Sequence, residues 1–184
     1  MLVVPACLAA AFLMGLRVNM TPSLPRGLYI MSGDAPARGD TVGFCLTGAF
    51  AGLGGQRGYL APGGCASGLR PLLKVLAGVP GDRVAVENGT VCINGVAWPH
   101  GIRKLDSSGR PVPSCLESTT IPAGSALVLS PHEGSFDGRY FGLVPFDSLQ
   151  KVNPVFLLEV RNEEGQGVSE GRGCGGRTSA HGKP

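Results

Sequence analysis

The chain has 184 residues, of which 43% are hydrophobic and only 16% charged, with 30 Gly and 15 Pro. Its formal net charge is +3 and its Lys and Arg residues are scattered, so it offers no basic face for nucleic acid, which is set aside as a partner. The length suits one domain with a core of its own. A Gly- and Pro-rich, charge-poor composition favours a loop-rich β protein over a helical bundle.

Residues 2–16, LVVPACLAAAFLMGL, carry no charge, and Arg17 closes the run. As a helix that run would cover about 22 Å, short of the ~30 Å hydrocarbon core of a bilayer. A short membrane anchor, the apolar part of a cleaved export signal and a buried core element all fit it. Its place at the extreme N-terminus favours the first two. The following stretch, NMTPSLPRGLY (19–29), sets Ser23 between Pro22 and Pro25. Proline fixes its own φ and restricts the residue before it. Such rigidity suits a nucleophile held for attack, and it equally suits a linker. Thr21 stands where its hydroxyl and the Ser23 N–H could together stabilise an oxyanion.

GLYIMSG and ARGDTVGFCL read as two strands, with Gly39-Asp40 as the turn between them. The glycine-rich stretch 48–68 reads as a flexible loop, and no phosphate-cradling glycine pattern fits inside it. Within residues 69–98, PLLKVLAGV is apolar apart from Lys74, and PGD makes a turn. RVAV and TVCI then flank Asn88-Gly89, with a second Asn-Gly at 94–95. Asn-Gly tolerates the positive φ angles of a type I′ turn, so hairpins are expected at both sites. GSALVLS and PVFLLEV read as further strands. No segment keeps a long 3.6-residue apolar period, so the fold class is mainly β. The expected organisation is an N-terminal segment over 1–17, a β-rich domain over 18–161, and a Gly-rich tail over 162–184. The tail has almost nothing apolar to bury, and disorder is expected there.

Three groups of residues could carry chemistry. Lys74, alone in an apolar run, must face water, pair with an acid or lose its proton. Burial lowers a lysine pKa, and a neutral amine can act as general base toward a hydroxyl nucleophile. On the run alone, an exposed sheet face is the expected place for it. Ser23 is the second. The third is HEGSFDGRYFGLVP (132–145), where Ser135, Asp137 and Arg139 alternate and would share one face of an extended segment. None of the six cysteines forms a C-x-x-C pair and no His lies at metal-ligand spacing, so neither a metal site nor a cofactor is expected. In an oxidising compartment the expected bridges are Cys45–Cys65 and Cys92–Cys115, one of the three connectivities that four cysteines allow.

PSLPRGLY, PLLKVLAGVPGDRV and GSFDGRYFGLVP, in this order, resemble the nucleophile, lysine and Ser-x-Asp-x-Arg boxes of the signal peptidase I (leader peptidase) family of serine–lysine proteases. The resemblance spans about residues 17–160 and includes VCING as a family strand. Where general leader peptidases have Ser-Met-x-Pro, this chain has Ser23-Leu24-Pro25 with Gly27 and Tyr29. That form is similar to the TraF-like conjugative-transfer branch.

The resemblance implies a coiled β-sheet catalytic core behind a short N-terminal apolar helix. It implies Ser23 as nucleophile, Lys74 as general base, Ser135 orienting the Lys74 amine, and Asp137 either paired with Arg139 or approaching the dyad. Thr21 and the Ser23 N–H would form the oxyanion hole, and Leu72, Leu73 and Val75 would desolvate Lys74. Gly138 stands where many relatives carry Ser, a change expected to be tolerated. The implied setting is the bacterial inner membrane, with the catalytic domain on the periplasmic side. The implied partners are membrane lipid, a membrane-embedded precursor (a pilin or a signal-peptide-bearing protein) and a conjugative transfer apparatus. A general signal peptidase and a non-catalytic, membrane-tethered β module are the other readings. SLQK at 148–151 matches the S-x-x-K of penicillin-binding enzymes, but their S-D-N and K-T-G are missing.

Overall fold

Asn88 and Asn94 adopt φ angles of 50° and 51°, and Gly89 and Gly95 follow at 81° and 82°. Both Asn-Gly pairs therefore make the tight turns expected of them. They sit in a computed structural model that describes residues 15–158 and Cys174. The expected N-terminal apolar helix, save its last residues, and most of the Gly-rich tail fall outside those residues. Leu16 and Arg17, read from the sequence as the end of the apolar segment, instead begin the first strand.

Among the described residues the strands are β1 (Leu16–Asn19), β2 (Gly27–Met31), β3 (Thr41–Phe44), β4 (Leu72–Gly78), β5 (Arg83–Glu87) and β6 (Thr90–Ile93). They continue as β7 (Val96–Ala97), β8 (Thr119–Thr120), β9 (Ser125–Leu129), β10 (Val144–Pro145) and β11 (Gln150–Leu157). Two helices, α1 (Gly48–Gln56) and α2 (Gly138–Phe141), and a 3-10 turn at Phe146–Ser148 complete the set. A seven-stranded sheet runs β1-β2-β11-β3-β4-β9-β10, and a four-stranded sheet runs β7-β6-β5-β8. Each strand pairing is antiparallel.

β9 explains why GSALVLS is apolar without alternation. Ala126 and Val128 enter one core with Val42, Phe44, Leu72 and Leu76, while Leu127 and Leu129 enter a second with Val84, Val91 and Ile121. The strand is a wall shared by two cores, so both of its faces must be apolar. A bulge in β4 between Leu76 and Gly78, opposite β9, lets the chain pass from one core to the other.

Two expectations are corrected. Part of 48–68, read as a flexible loop, is the helix α1. Low helix propensity is overridden there by packing: a Cβ on Gly54 would lie 2.8 Å from Leu60 and 3.3 Å from Phe136, so the glycine lets the helix settle against the aromatic core. Cys45 and Cys65 are joined across this insertion. Cys92, however, is joined to Cys174 and not to Cys115. Cys92 lies on β6, and the Cys174 N–H donates to Gly95 O at 3.0 Å beside the β6–β7 turn. Cys115 is instead held next to α2 by its N–H to Tyr140 O and remains an exposed thiol. Among the described residues, no helix is long and apolar enough to cross a membrane.

Candidate active site

The loop that carries Ser23 joins β1 to β2. Its base is closed by the pairing of Asn19 with Gly27. Gly27 has no room for a side chain, since a Cβ there would lie 2.9 Å from Leu157 Cα on β11. The Tyr29 hydroxyl donates to Pro25 O at 2.7 Å, and burial raises its pKa, so the donor proton is secure. The Asn19 amide organises the loop from within. Its Nδ2 donates to Thr21 O (3.3 Å), Leu24 O (3.1 Å) and Pro25 O (3.1 Å), while Oδ1 accepts from the Thr21 N–H (3.1 Å) and hydroxyl (2.8 Å). The Thr21 and Ser23 hydroxyls lie 3.0 Å apart. Finally, the buried Ser130 hydroxyl, at the end of β9, donates to Ser23 O and pins the loop to the sheet.

Lys74 lies mid-way along β4, where burial alternates, and it is only 4% exposed. It shares its face with Leu72 and Leu76, and Val42 of β3 is its direct partner across the ladder. Leu73 and Val75 point to the opposite face and so are not the residues that desolvate it. Burial is the chief cause that lowers its pKa from 10.5 to about 8; Asp137 opposes the shift and Arg139 assists it. Its Nζ donates to Ser135 Oγ at 2.8 Å.

Ser135, Asp137 and Arg139 do not form an extended strip. Asp137 is the N-cap of α2, accepting from the Arg139 N–H. The Asp137 and Arg139 side chains are fully buried and paired, with Nε to Oδ1 at 2.9 Å and a second guanidinium nitrogen to Oδ2 at 2.8 Å. A buried charge needs such bidentate pairing and further partners. Arg139 also reaches the carbonyls of His132 (2.9 Å) and His100 (3.3 Å). Phe136, between Ser135 and Asp137, is clamped by Tyr59 and Phe50 of the insertion and by Tyr140, with ring centroids 5.1, 6.3 and 5.8 Å away. The Cys45-bridged insertion thus buttresses the loop that presents Ser135 to Lys74.

Ser130 joins the two halves of the site. Its N–H donates to Asp137 Oδ2 at 3.0 Å while its hydroxyl holds Ser23 O. Among the described residues no hydrogen bond joins Lys74 to Ser23. Of the sequence-derived residues, the structure brings Lys74, Ser135, Asp137 and Arg139 together, and places Thr21 against Ser23. His100 and His132 contribute only backbone groups to this cluster, and Lys151 of the S-x-x-K match pairs with Asp40 instead. Asn19 and Ser130 had no signal as functional residues. Asn19 ends a strand that the sequence does not announce, and Ser130 lies 107 residues from the carbonyl it holds. A groove of about 420 Å³ along α1, lined by small residues such as Gly48, Ala51 and Gly52, contains none of these groups. Chemically, the cluster offers a weakly basic amine in an apolar setting and a hydroxyl on a braced loop, the components of a serine–lysine acyl transfer.

A family model described as "Signal peptidase, peptidase S26" matches residues 1–156. A plasmid transfer protein TraF from Escherichia coli is 39% identical over 140 residues, covering 73% of this chain and 78% of that one. A conjugal transfer protein TraF from Agrobacterium tumefaciens is 38% identical over 162 residues, covering 84% and 90%. A probable conjugal transfer protein TraF from Sinorhizobium fredii is 38% identical over 142 residues, covering 75% and 74%. Among solved structures, a signal peptidase I from Enterococcus faecalis is 26% identical with a TM-score of 0.37, covering 66% of this chain and 99% of that one.

Proposed function

Since the chain belongs to the peptidase S26 signal peptidase family, with conjugal transfer proteins among its relatives, we propose that it is a serine endopeptidase that matures an exported precursor for conjugation, with a pilin subunit as its substrate. The observation that carries this reading is Lys74: a buried amine with a pKa near 8, held by Ser135 beside the Asp137–Arg139 pair. An amine with a pKa close to the working pH is suited to general-base catalysis.

In this mechanism neutral Lys74 takes the Ser23 proton as Ser23 Oγ attacks the scissile carbonyl. The oxyanion is stabilised by the Ser23 N–H and the Thr21 hydroxyl. The Lys74 ammonium then returns its proton to the leaving amine, which leaves an acyl-enzyme on Ser23. Water resolves it to a carboxylate, or the N-terminal amine of the same substrate attacks and closes a ring. Val18, Met20 and Ile30, with residues 155–158, are exposed apolar side chains around β1, β2 and β11. They support a place at the membrane surface, with the domain on the periplasmic side of the inner membrane, where disulfides persist.

Co-expression with a candidate pilin precursor, followed by intact-mass measurement of the product, tests this reading. Wild type should yield a shortened product, and Ser23→Ala and Lys74→Ala should leave the precursor intact. A mature product lighter by one water would identify ring closure. Equal processing by all three proteins would overturn the assignment.

A further inference from the structure

The hydroxyl protons around Ser23 can be assigned from the acceptors. Asn19 Oδ1 carries no hydrogen and lies 2.8 Å from Thr21 Oγ1, so Thr21 must donate there. The orientation of the amide is itself fixed, because the opposite orientation would set Oδ1 against three carbonyl oxygens and Nδ2 against the Thr21 N–H. Thr21 has one hydroxyl proton, and it is committed to Asn19. The 3.0 Å contact between Thr21 and Ser23 is therefore donated by Ser23. In the resting arrangement the Ser23 proton points toward Thr21, which fits the lack of a hydrogen bond from Ser23 to Lys74 among the described residues.

We infer that Asn19 is a positioning residue for the reaction, acting through Thr21. Its Oδ1 fixes the Thr21 side-chain rotamer, which sets Oγ1 against the nucleophile. It also holds the Thr21 proton until an oxyanion competes for it. Turning the hydroxyl about the Cβ–Oγ bond then moves that proton without moving a heavy atom. Asn19 is able to do this because it is 5% exposed and its backbone is locked in the β1–β2 ladder opposite Gly27. Through Nδ2 it also braces the Leu24 and Pro25 carbonyls, and the test must separate that bracing from the effect on Thr21.

The inference rests on the serine–lysine reading, and a double-mutant cycle distinguishes the two. Wild type, Ser23→Ala, Asn19→Ala, Thr21→Val and the Asn19→Ala/Thr21→Val double variant are assayed on one internally quenched peptide. The peptide carries Ala at the first and third positions before the scissile bond. Loss of a placement of this kind costs about 10- to 100-fold. Asn19→Ala should lower kcat by that factor with little change in KM, and the apparent pKa of the acid limb should stay near its wild-type value. In the Thr21→Val background, adding Asn19→Ala should cost nothing further. As a control against simple unfolding, Thr21→Ser keeps the hydroxyl that Asn19 Oδ1 holds, and every variant is assayed well below its own Tm. Adding Asn19→Ala to Thr21→Ser should again cost about 10- to 100-fold in kcat. Losses that multiply in the Asn19→Ala/Thr21→Val variant, or no loss on adding Asn19→Ala to Thr21→Ser, would overturn the inference. If Ser23→Ala matched wild type, the serine–lysine reading itself would fall, and the inference with it.

Discussion

Replacing Lys74 by Met should make the protein more stable at neutral pH while abolishing its activity. The folded-state pKa of Lys74 is about 8, against 10.5 for a free lysine. Below pH 8 the amine is charged in both the folded and unfolded states, and the fold carries the full cost of its burial, about 3 kcal/mol. Between pH 8 and 10.5 the folded protein has released the proton while the unfolded chain keeps it. Stability of the wild type therefore rises through that window, and by pH 10 the remaining cost is about 1 kcal/mol. Methionine fills the same apolar slot between Leu72, Leu76 and Val42 without a charge. It sacrifices the hydrogen bond to Ser135, which offsets the gain by about 1 kcal/mol. Urea unfolding of wild type and Lys74→Met at pH 7 and pH 10 should show the variant ahead by roughly 2 kcal/mol at pH 7, with no advantage left at pH 10. A variant that is less stable at both pH values by the same amount would refute the reasoning, because it would mean the lysine is not held against its charge.

Asp137→Asn removes the one charge that raises the Lys74 pKa, so the acid limb of activity should move to lower pH. It also strands the fully buried Arg139, which should destabilise the protein by about 3–5 kcal/mol in the same urea assay. Gly138→Ser should lower stability by about 1–3 kcal/mol. A Cβ at that position would lie 2.7 Å from Val128 O and 2.8 Å from Leu127, and an unchanged Tm would refute the clash. Non-reducing peptide mapping should recover Cys45–Cys65 and Cys92–Cys174 as linked pairs, with Cys115 alkylated without reduction. A Cys92–Cys115 peptide would contradict this arrangement.

What could be read from the sequence depended on how local its cause was. The Asn-Gly turns and the strands beside them were legible because a type I′ turn is specified by two adjacent residues. The mainly β class followed from periodicity. α1 was not legible, because glycines that disfavour a helix in isolation are needed there to approach Leu60 and Phe136. Lys74 illustrates the same limit at the site. The apolar run marks it as unusual, but an isolated strand favours an outward lysine, and only the second layer carrying Ser135, Asp137 and Arg139 keeps it inside. The alternating Ser135, Asp137 and Arg139 suggested a shared face of an extended segment, whereas Asp137 caps α2, which begins at Gly138 and carries Arg139. Asn19 and Ser130 were silent, because their partners, the Thr21 hydroxyl, the Asp137 carboxylate and several backbone carbonyls, come within reach only in the folded chain. The Cys92–Cys174 link was missed because a Gly-rich tail looked too poor in apolar side chains to be tied to the domain.

The pH dependence of kcat/KM for the wild-type protein on the quenched peptide tests most directly whether Lys74 is the base. With Lys74 required in its neutral form and a pKa of about 8, kcat/KM should rise about tenfold per pH unit below that value and level off above it. A profile already flat at pH 7, or one bending near 6.5 as a histidine would make it, would contradict the serine–lysine mechanism.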